Sequence, residues 1–250
     1  MVYWKVRTME VAGGKPVAVL ALALMLLIAV AGCGAEGAVS DIQTARESVE
    51  QGTATTASVH IDMASGQLDL SEGFNKLMDA TFQYNVPSWK PQVTYNVKGT
   101  QGVLSIVQPV DRNNLPAPSE NTVYDWEVRL SDQVPVDLEL RLGLGKATLN
   151  LSNLKLTNLE IALGAGNVEA DLSGSYDRAV HARITGGVGN LTLKLDDNMA
   201  TRVTVTGNLG KVTALGLTRD GDTYANDALS PYKLTVEIES GIGDITLDGS

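Results

Sequence analysis

A short glycine motif that recurs at a near-constant interval constrains this chain more than any other feature. Each copy reads Gly, an apolar residue, Gly and a polar residue, followed by alternating apolar positions. Four copies are complete and one has Asn208 in place of its first glycine; the glycines are Gly143 and Gly145, Gly164 and Gly166, Gly187 and Gly189, Gly210, and Gly241 and Gly243. The second glycines are spaced by 21, 23, 21 and 33 residues. A period of this size indicates a repeat architecture built from stacked units.

The residues on both sides of each motif alternate between apolar and polar side chains. Around the second copy the apolar positions are Leu159, Ile161 and Leu163 before it, and Val168, Ala170 and Leu172 after it. Alternation with a period of two, rich in β-branched residues, predicts half-buried strands. Each unit is therefore predicted to be strand, tight glycine turn, strand. The predicted fold class is all-β, a β-solenoid of stacked repeats preceded by a β-rich N-terminal segment.

The apolar residue between the two glycines is expected to lie buried under its turn. The residues at this position are Leu144, Ala165, Val188, Leu209 and Ile242. Stacking would then join them into one apolar column. Glycine loops that bind phosphate open a helix, whereas strands follow the glycines here, and Gly145-Lys146 precedes Ala147 rather than Ser or Thr. The glycines are therefore predicted to be structural turn residues.

The first 32 residues have the features of a targeting signal. Basic residues precede an apolar run over 17–30 that is short for a membrane span. The sequence Val30-Ala31-Gly32-Cys33 resembles the lipobox of bacterial lipoproteins, in which the Cys is acylated and becomes the new N-terminus. The resemblance implies lipidation of Cys33, the only Cys, and anchoring on the extracytoplasmic side of a bacterial cell membrane. An ordinary signal peptide with a chance Cys, or an uncleaved anchor, is the alternative.

Composition divides the chain into five predicted segments. A stretch resembling the repeat, with Ser65 at the apolar position, is interpreted as a degenerate first copy within the third segment. The segments are a signal peptide (1–32), a lipid-anchored flexible tether (33–56), an N-terminal β segment (57–108), a Pro-rich connection (109–122) and the repeat β-solenoid (123–250). Within the tether, a transient helix is expected near 42–49.

The net charge argues against nucleic acid as a partner. Residues 1–32 contain three of the 19 basic and one of the 29 acidic residues, so their removal leaves 16 basic and 28 acidic residues, a formal charge of −12. Such a surface repels nucleic acid and anionic lipid headgroups. No nucleic-acid partner is expected, and the acidity is interpreted mainly as a means of solubility outside the cell.

Residues with catalytic or metal-binding chemistry are sparse. The two histidines, His60 and His181, each lie between apolar residues of an alternating strand and are expected at the surface. Composition leaves a Ser–His–Asp arrangement open, but the Gly-x-Ser-x-Gly elbow is missing. Lys146 and Lys211, which follow second glycines, would repel calcium at the turns. The sequence therefore predicts no catalytic residue, no metal and no cofactor, and the protein is not expected to be an enzyme.

One further segment makes a resemblance specific. The residues Tyr84-Asn85-Val86-Pro87-Ser88-Trp89-Lys90-Pro91, the hairpin that follows them, Trp126 and the glycine repeats together resemble the toast-rack family of bacterial cell-envelope proteins. That family includes LiaF-type C-terminal domains and adhesin-like β-solenoids. The resemblance covers about 58–250 and implies a β-solenoid, an exported position, and an envelope-stress or surface-contact role without catalytic residues.

Two function classes remain open from the sequence. The first is a non-enzymatic structural or interaction module that is held at the membrane by its lipid and binds a protein partner at the envelope. The second is a binding module for an envelope glycan or peptide. The scarcity of aromatic residues in the repeats favours the first class, because ligand pockets are commonly lined by aromatics.

Overall fold

A computed structural model of the chain describes residues 39–110 and 121–250. Glu36–Ser250 form one compact unit. The predicted signal peptide, Cys33 and residues 111–120 of the Pro-rich connection lie outside the described residues. The elements of the described part are β1 (Gln43–Val49), β2 (Thr56–Phe74), β3 (Met78–Tyr84), a 3-10 turn (Pro87–Trp89), β4 (Gln92–Lys98), β5 (Gln101–Val107), β6 (Tyr124–Ser131), β7 (Val136–Asn150), β8 (Leu156–Leu172), β9 (Val180–Val188), β10 (Leu191–Leu195), β11 (Ala200–Thr206), β12 (Val212–Leu215), β13 (Thr218–Asp220), β14 (Thr223–Ala225), β15 (Lys233–Ile242) and β16 (Ile245–Asp248).

The all-β solenoid predicted from the repeat is confirmed. Strands β2, β7 and β8 are parallel and in register, and each bends at its glycine motif so that its two arms join different sheets. The described strands are joined in one continuous hydrogen-bonded sheet, which the corners divide into two arms. Along the first arms the strand order is β4-β5-β2-β7-β8-β9-β15-β11-β14-β13, and along the second arms it is β1-β3-β6-β2-β7-β8-β10-β16-β12; we call these the first and the second sheet. No helix within 39–110 or 121–250 is long and apolar enough to cross a lipid bilayer.

We call each pair of arms joined at a corner a rung, and the stacking order of the rungs differs from their order in the chain. From one end, the rungs are β5 with β6, β2, β7, β8, β9 with β10, β15 with β16, and β11 with β12. At one end, the rung of β5 and β6 is outermost although β2, which lies inside it, comes earlier in the chain. At the other end, the rung of β11 and β12 is outermost although it comes earlier in the chain than β15 and β16. The rung made of β15 and β16 therefore lies inside the stack although it follows β11 and β12 in the chain.

The predicted degenerate copy is a rung of the solenoid. In β2, Ser65 pairs with Leu144 and Gly66 pairs with Gly145 of the next rung. The expected boundary between an N-terminal β segment (57–108) and a repeat domain (123–250) does not separate two structures, because β2 lies between β6 and β7 in the second sheet. The Pro-rich stretch 109–122 instead connects the two arms, β5 and β6, of one rung.

Part of the stretch 33–56, which was expected to be a flexible tether, is a strand. Residues 43–49, where a transient helix was expected, form β1, which pairs antiparallel with β3. Only Ala45 and Val49 of this strand are half-buried, and the rest is exposed. An edge strand with so few buried apolar groups has a composition close to that of an unstructured spacer, and this explains the wrong expectation.

The core fills the space between the two sheets with rows of aliphatic side chains. Leu138, Leu140 and Leu142 are almost fully buried, as are their partners in β2. Burying one such side chain contributes roughly 1.5–3 kcal/mol. Aromatic residues close the end near β6: the Phe82 and Trp126 rings meet edge-to-face at 5.2 Å. Rows of in-register apolar residues thus hold the corners of successive rungs at a fixed spacing.

Candidate functional site

The glycine corners of neighbouring rungs stack on one another along one edge of the solenoid. Leu144 pairs with Ala165, Ala165 with Val188, and Val188 with Ile242. The Leu209 N–H donates to the Gly241 carbonyl of the adjacent rung at 2.9 Å. In β7 and β8 the motif is a corner within one bent strand rather than a turn between two strands. The residues between the glycines therefore form a single row that crosses five rungs.

The two glycines of each motif are required for different reasons. A Cβ on the first glycine would lie 2.2–2.4 Å from a backbone oxygen of the neighbouring rung, at Gly143, Gly164, Gly187 and Gly241. The second glycine has a φ of +135 to +147° and its Cβ would lie 1.5–1.8 Å from such an oxygen, at Gly145, Gly166, Gly189 and Gly243. Gly210 has only the steric requirement, because a Cβ added there would lie 1.9 Å from the Gly243 carbonyl oxygen. The first position requires glycine because neighbouring backbones approach closely. The second position requires glycine for the same reason and also because its φ is positive.

The expectation that the residues between the glycines are buried was wrong. Leu144 is 42% exposed, Val188 53%, Ile242 55% and Leu209 80%, and Ala165 is half-buried. The inward side of β7 changes at the corner, from even-numbered residues before it to odd-numbered residues after it. The positive φ of the second glycine allows this change and leaves the residue between the glycines on the outside of the bend. We call the row Leu144, Ala165, Val188, Ile242 and Leu209 the apolar ridge.

A row of polar side chains beside the ridge bonds one corner to the next. Asn167 Oδ1 accepts the Asn190 N–H at 3.1 Å, Asn190 Oδ1 accepts the Asp244 N–H at 3.0 Å, and Asp244 Oδ1 accepts the Lys211 N–H at 2.9 Å. The sequence analysis considered this position only for calcium binding. The recurrence of Asn or Asp directly after the second glycine was the signal for the ladder. These bonds satisfy backbone N–H groups at the bend, where the regular strand pairing is interrupted.

The apolar ridge has the character of a contact surface. Strands in a sheet lie about 4.8 Å apart, so five rungs place its ends about 19 Å apart. Contiguous exposed apolar residues with a polar border mark interaction sites more often than scattered ones do. The border carries both signs of charge, with Lys146, Asp244 and Lys211 in one row. The ridge therefore combines an apolar centre with a nearly neutral rim on an acidic protein.

A second feature is a polar groove of about 390 Å³ on the outer face of the second sheet. It lies where the parallel strands β2 and β7 meet β6 and β3. Its lining includes Gln67, Asp69, Thr81, Asp125, Glu127 and Lys146. Three carboxylates and one ammonium group give it the chemistry to bind hydroxyl- or amine-bearing ligands, and the groove is shallow and open to solvent.

The structure brings together three side chains that the sequence analysis left apart. The His60 Nδ1 lies 2.7 Å from Glu139 Oε2, and the His60 Nε2 lies 3.1 Å from the Ser58 hydroxyl oxygen. Arg141 also contacts Glu139. This order of serine, histidine and carboxylate is that of a hydrolytic triad. His60 and Glu139 are cross-strand partners 79 residues apart in the chain, so spacing gave no signal for the contact.

The surroundings of these three residues do not suit acyl transfer. Ser58 and His60 lie on β2, which pairs with β5 on one side and with β7 on the other. Their backbone N–H groups are therefore used in the sheet and are not free to stabilise an oxyanion, an interaction usually worth a factor of about 10²–10³ in rate. The group is best described as a polar cross-strand network on a flat face. His181 is exposed on β9 of the same sheet.

Other candidate sites can be located only in part. Cys33, the predicted lipidation site, lies outside the described residues. Within 39–110 and 121–250, no group of three or more His, Cys, Asp and Glu side chains could hold a metal ion. The Tyr124 hydroxyl donates to the Trp89 carbonyl at 2.7 Å, and burial raises the pKa of Tyr124 far above its ordinary value. This tyrosine is therefore a neutral core residue and not a titrating group.

Comparison with known proteins places the fold in a family. No curated protein is significantly similar in sequence. The crystal structure of a candidate cell adhesion protein from Clostridium sporogenes is 28% identical, with a TM-score of 0.78 over 84% of this chain and 100% of that chain. Two other solved structures are more distant. A candidate adhesin from Bacteroides fragilis is 9% identical, with a TM-score of 0.26 over 82% of this chain and 96% of that chain. A candidate lipid-binding protein from Parabacteroides distasonis is 10% identical, with a TM-score of 0.25 over 84% of this chain and 95% of that chain. The profile of the N-terminal domain of toast-rack (DUF2154) matches residues 38–194, more than half of the chain, which therefore belongs to the toast-rack family.

Proposed function

We propose that this protein is an exported, lipid-anchored and non-catalytic contact module of the bacterial cell envelope, which binds a protein partner through the apolar ridge. The observation that carries the proposal is the alignment of Leu144, Val188, Ile242 and Leu209 in one exposed row. The resemblance of residues 30–33 to a lipobox supports the anchor. The likeness to a candidate cell adhesion protein supports a role in contact or adhesion.

The ridge presents its side chains at a small entropic cost. Each ridge residue lies between two backbone segments that are packed tightly against neighbouring rungs, so binding need not order a loop. Covering the exposed part of a large aliphatic side chain contributes about 1 kcal/mol. Four such residues give about 4 kcal/mol, which corresponds to weak binding by one molecule. Many copies on one membrane would strengthen such contacts through multivalency.

A photo-cross-linking amino acid placed at position 188 tests the ridge in living cells. Position 181 is a matched control, because His181 is also exposed on β9 but lies outside the ridge. A discrete cross-linked protein at position 188 and not at 181, abolished by Ile242→Ser, is expected. Equal products at both positions, or none at 188, would contradict the proposal. Cys33→Ser is expected to release the protein from membranes or to leave an uncleaved precursor.

A binding module for an envelope glycan or peptide is the second candidate, and the polar groove favours it. Asp125 and Glu127 line the groove on β6, far along the sheet from the ridge residue Ile242. If the groove is the site, Asp125→Asn with Glu127→Gln would abolish binding to purified cell-wall fragments and Ile242→Ser would not. The reverse pattern in cells would favour the ridge.

A further inference from the structure

Strand β12 is the last strand of the second sheet, and one of its edges is open. Among the described strands it pairs only with β16. The Lys211 carbonyl accepts the Ile245 N–H at 2.9 Å, and the Leu215 carbonyl accepts the Gly249 N–H at 3.0 Å. The N–H and C=O of one strand residue point to the same side, and the side alternates along the strand. The backbone groups of Val212 and Ala214 therefore point away from β16, toward the open edge.

The apolar core is also uncovered along this edge. Val212 and Ala214 face the core but are only half-buried. Their partners in the adjacent rung, Ile245 and Leu247, are 1% and 0% exposed. The difference arises because no further rung within the described residues covers β12. An added strand would bury apolar surface as well as complete backbone hydrogen bonds.

The other described edge strands carry charges that discourage strand pairing. β1 contains Arg46 and Glu47, β4 ends at Lys98, and β13 contains Arg219 and Asp220. Natural sheets commonly protect their edges with such charged residues. The four residues of β12, Val-Thr-Ala-Leu, include no charge. This edge therefore lacks the charged side chains that the other three carry.

The shape of this end fits a single strand better than a second domain. The first sheet continues beyond β11 with the antiparallel strands β14 and β13, whereas the second sheet stops at β12. Two strands add about 10 Å, so the first sheet extends past the open edge by that distance. A second copy that paired β12 with β12 about a two-fold axis would bring its own β13 and β14 into the same space. One extended peptide segment would avoid that clash.

We propose that β12 binds one extended segment of a partner protein, which adds a strand to the second sheet. The segment has apolar residues beside Val212 and Ala214, a small polar residue beside Thr213, and a carboxylate beside Lys211. The same pattern, Asp244-Ile245-Thr246-Leu247, occupies the other side of β12 in parallel register. Strand addition of this kind takes its affinity from main-chain bonds and its specificity from alternate side chains. The site shares no residue with the apolar ridge, so the two proposals can fail independently.

Hydrogen exchange of the full chain in detergent tests this proposal, with a synthetic peptide of residues 243–249 as the probe. In the free protein the amides of Val212 and Ala214 are expected to exchange fast and that of Thr213, which faces β16, slowly. Saturating peptide is expected to slow exchange at Val212 and Ala214 by about 10-fold or more. The amide of Arg219 on β13 should not change. A control peptide with Ser in place of both apolar residues should have no effect.

Ala214→Pro removes an N–H that points to the open edge and no bond to β16. The variant is expected to keep the unfolding midpoint of the wild type and to lose the effect of the peptide. Slow exchange of Val212 and Ala214 in the free protein would overturn the proposal, as would peptide binding that leaves both amides unchanged. Protection that rises with protein concentration alone would identify a second copy as the occupant instead. The wild-type exchange data decide the question even if the proline variant does not fold.

Discussion

Three neighbouring glycine substitutions in one rung separate the steric from the conformational requirement of the corner. Gly186, Gly187 and Gly189 lie within or directly after β9. A Cβ on Gly186 would lie 3.8 Å from its nearest neighbour, the Ser240 hydroxyl oxygen, which is an ordinary contact. A Cβ on Gly187 would lie 2.2 Å from a backbone oxygen, and one on Gly189 would lie 1.5 Å from one at a φ of +140°. The three positions therefore form a graded series.

The expected free energies follow from these distances. Gly186→Ala should change the free energy of unfolding by less than about 1 kcal/mol, and the lower entropy of the unfolded chain favours stabilisation. Gly187→Ala forces two rungs apart by roughly 1 Å and weakens one or two ladder hydrogen bonds, each worth about 1 kcal/mol. Gly189→Ala adds a strained φ, which costs about 1–3 kcal/mol. We expect losses of about 1–3 kcal/mol at position 187 and about 3–5 kcal/mol at position 189.

Thermal and urea unfolding of the purified chain measure this series. A loss of about 4 kcal/mol in a unit of this size lowers Tm by about 8–16 °C. Gly73→Ala is a useful reference, since Gly73 has a φ of +93° and nothing within 4 Å of the place that an added methyl group would take, so it reports conformational strain alone. Equal midpoints for Gly187→Ala and Gly186→Ala would refute the close backbone approach at the corners. A loss at position 189 no larger than that at position 73 would refute it as well.

Four other substitutions test the corners by chemical denaturation. Ile242→Asp should cost about 1 kcal/mol, because Ile242 is 55% exposed, whereas Ile238→Asp buries a carboxylate and should cost at least about 3 kcal/mol; equal losses would place the ridge inside the core. Asp244→Ala removes the acceptor of the Lys211 N–H and should cost about 1 kcal/mol, more than its exposure alone suggests; an unchanged midpoint would argue against the polar ladder. Gln108→Leu leaves two buried corner N–H groups of β2 without their acceptor and should cost about 2–4 kcal/mol, and faster exchange of those two amides is the direct check.

The regular part of the fold could be predicted because its information is local. Alternation at Leu159, Ile161, Val168 and Ala170 reports which side of each arm is buried, and the structure buries all four. The interval between second glycines reports the length of a rung. Even the degenerate rung around Ser65 could be recognised from its alternation.

The side on which the ridge residues lie could not be read from the same pattern. Alternation before the corner continues inward as far as Leu142 and predicts an inward Leu144. The inward set then changes at Gly145, whose φ is +137°. A glycine in a sequence permits a positive φ but does not reveal one. The outward direction of the ridge is therefore a property of backbone geometry that hydropathy does not encode.

Contacts between distant parts of the chain could not be predicted from the sequence either. Ser58, His60 and Glu139 meet because two rungs stack in one register, and each residue alone has the pattern of an ordinary surface strand position. The open edge at β12 was hidden for a related reason. All copies of the repeat predict similar strands, and nothing in a copy specifies whether another rung covers it.

The exchanged order of the last two rungs has a consequence for how a growing chain folds. A ribosome completes β11 and β12 before it begins β15 and β16, yet the later pair lies between the earlier pair and β9 with β10. Until the later pair emerges, β11 and β12 have no strand to pair with on that side. Contacts of this kind, made late and between distant residues, slow folding. A chain interrupted after β12 would leave the edges of β9 and β10 without their strand partners, and unpaired strand edges make a partly folded chain prone to aggregation.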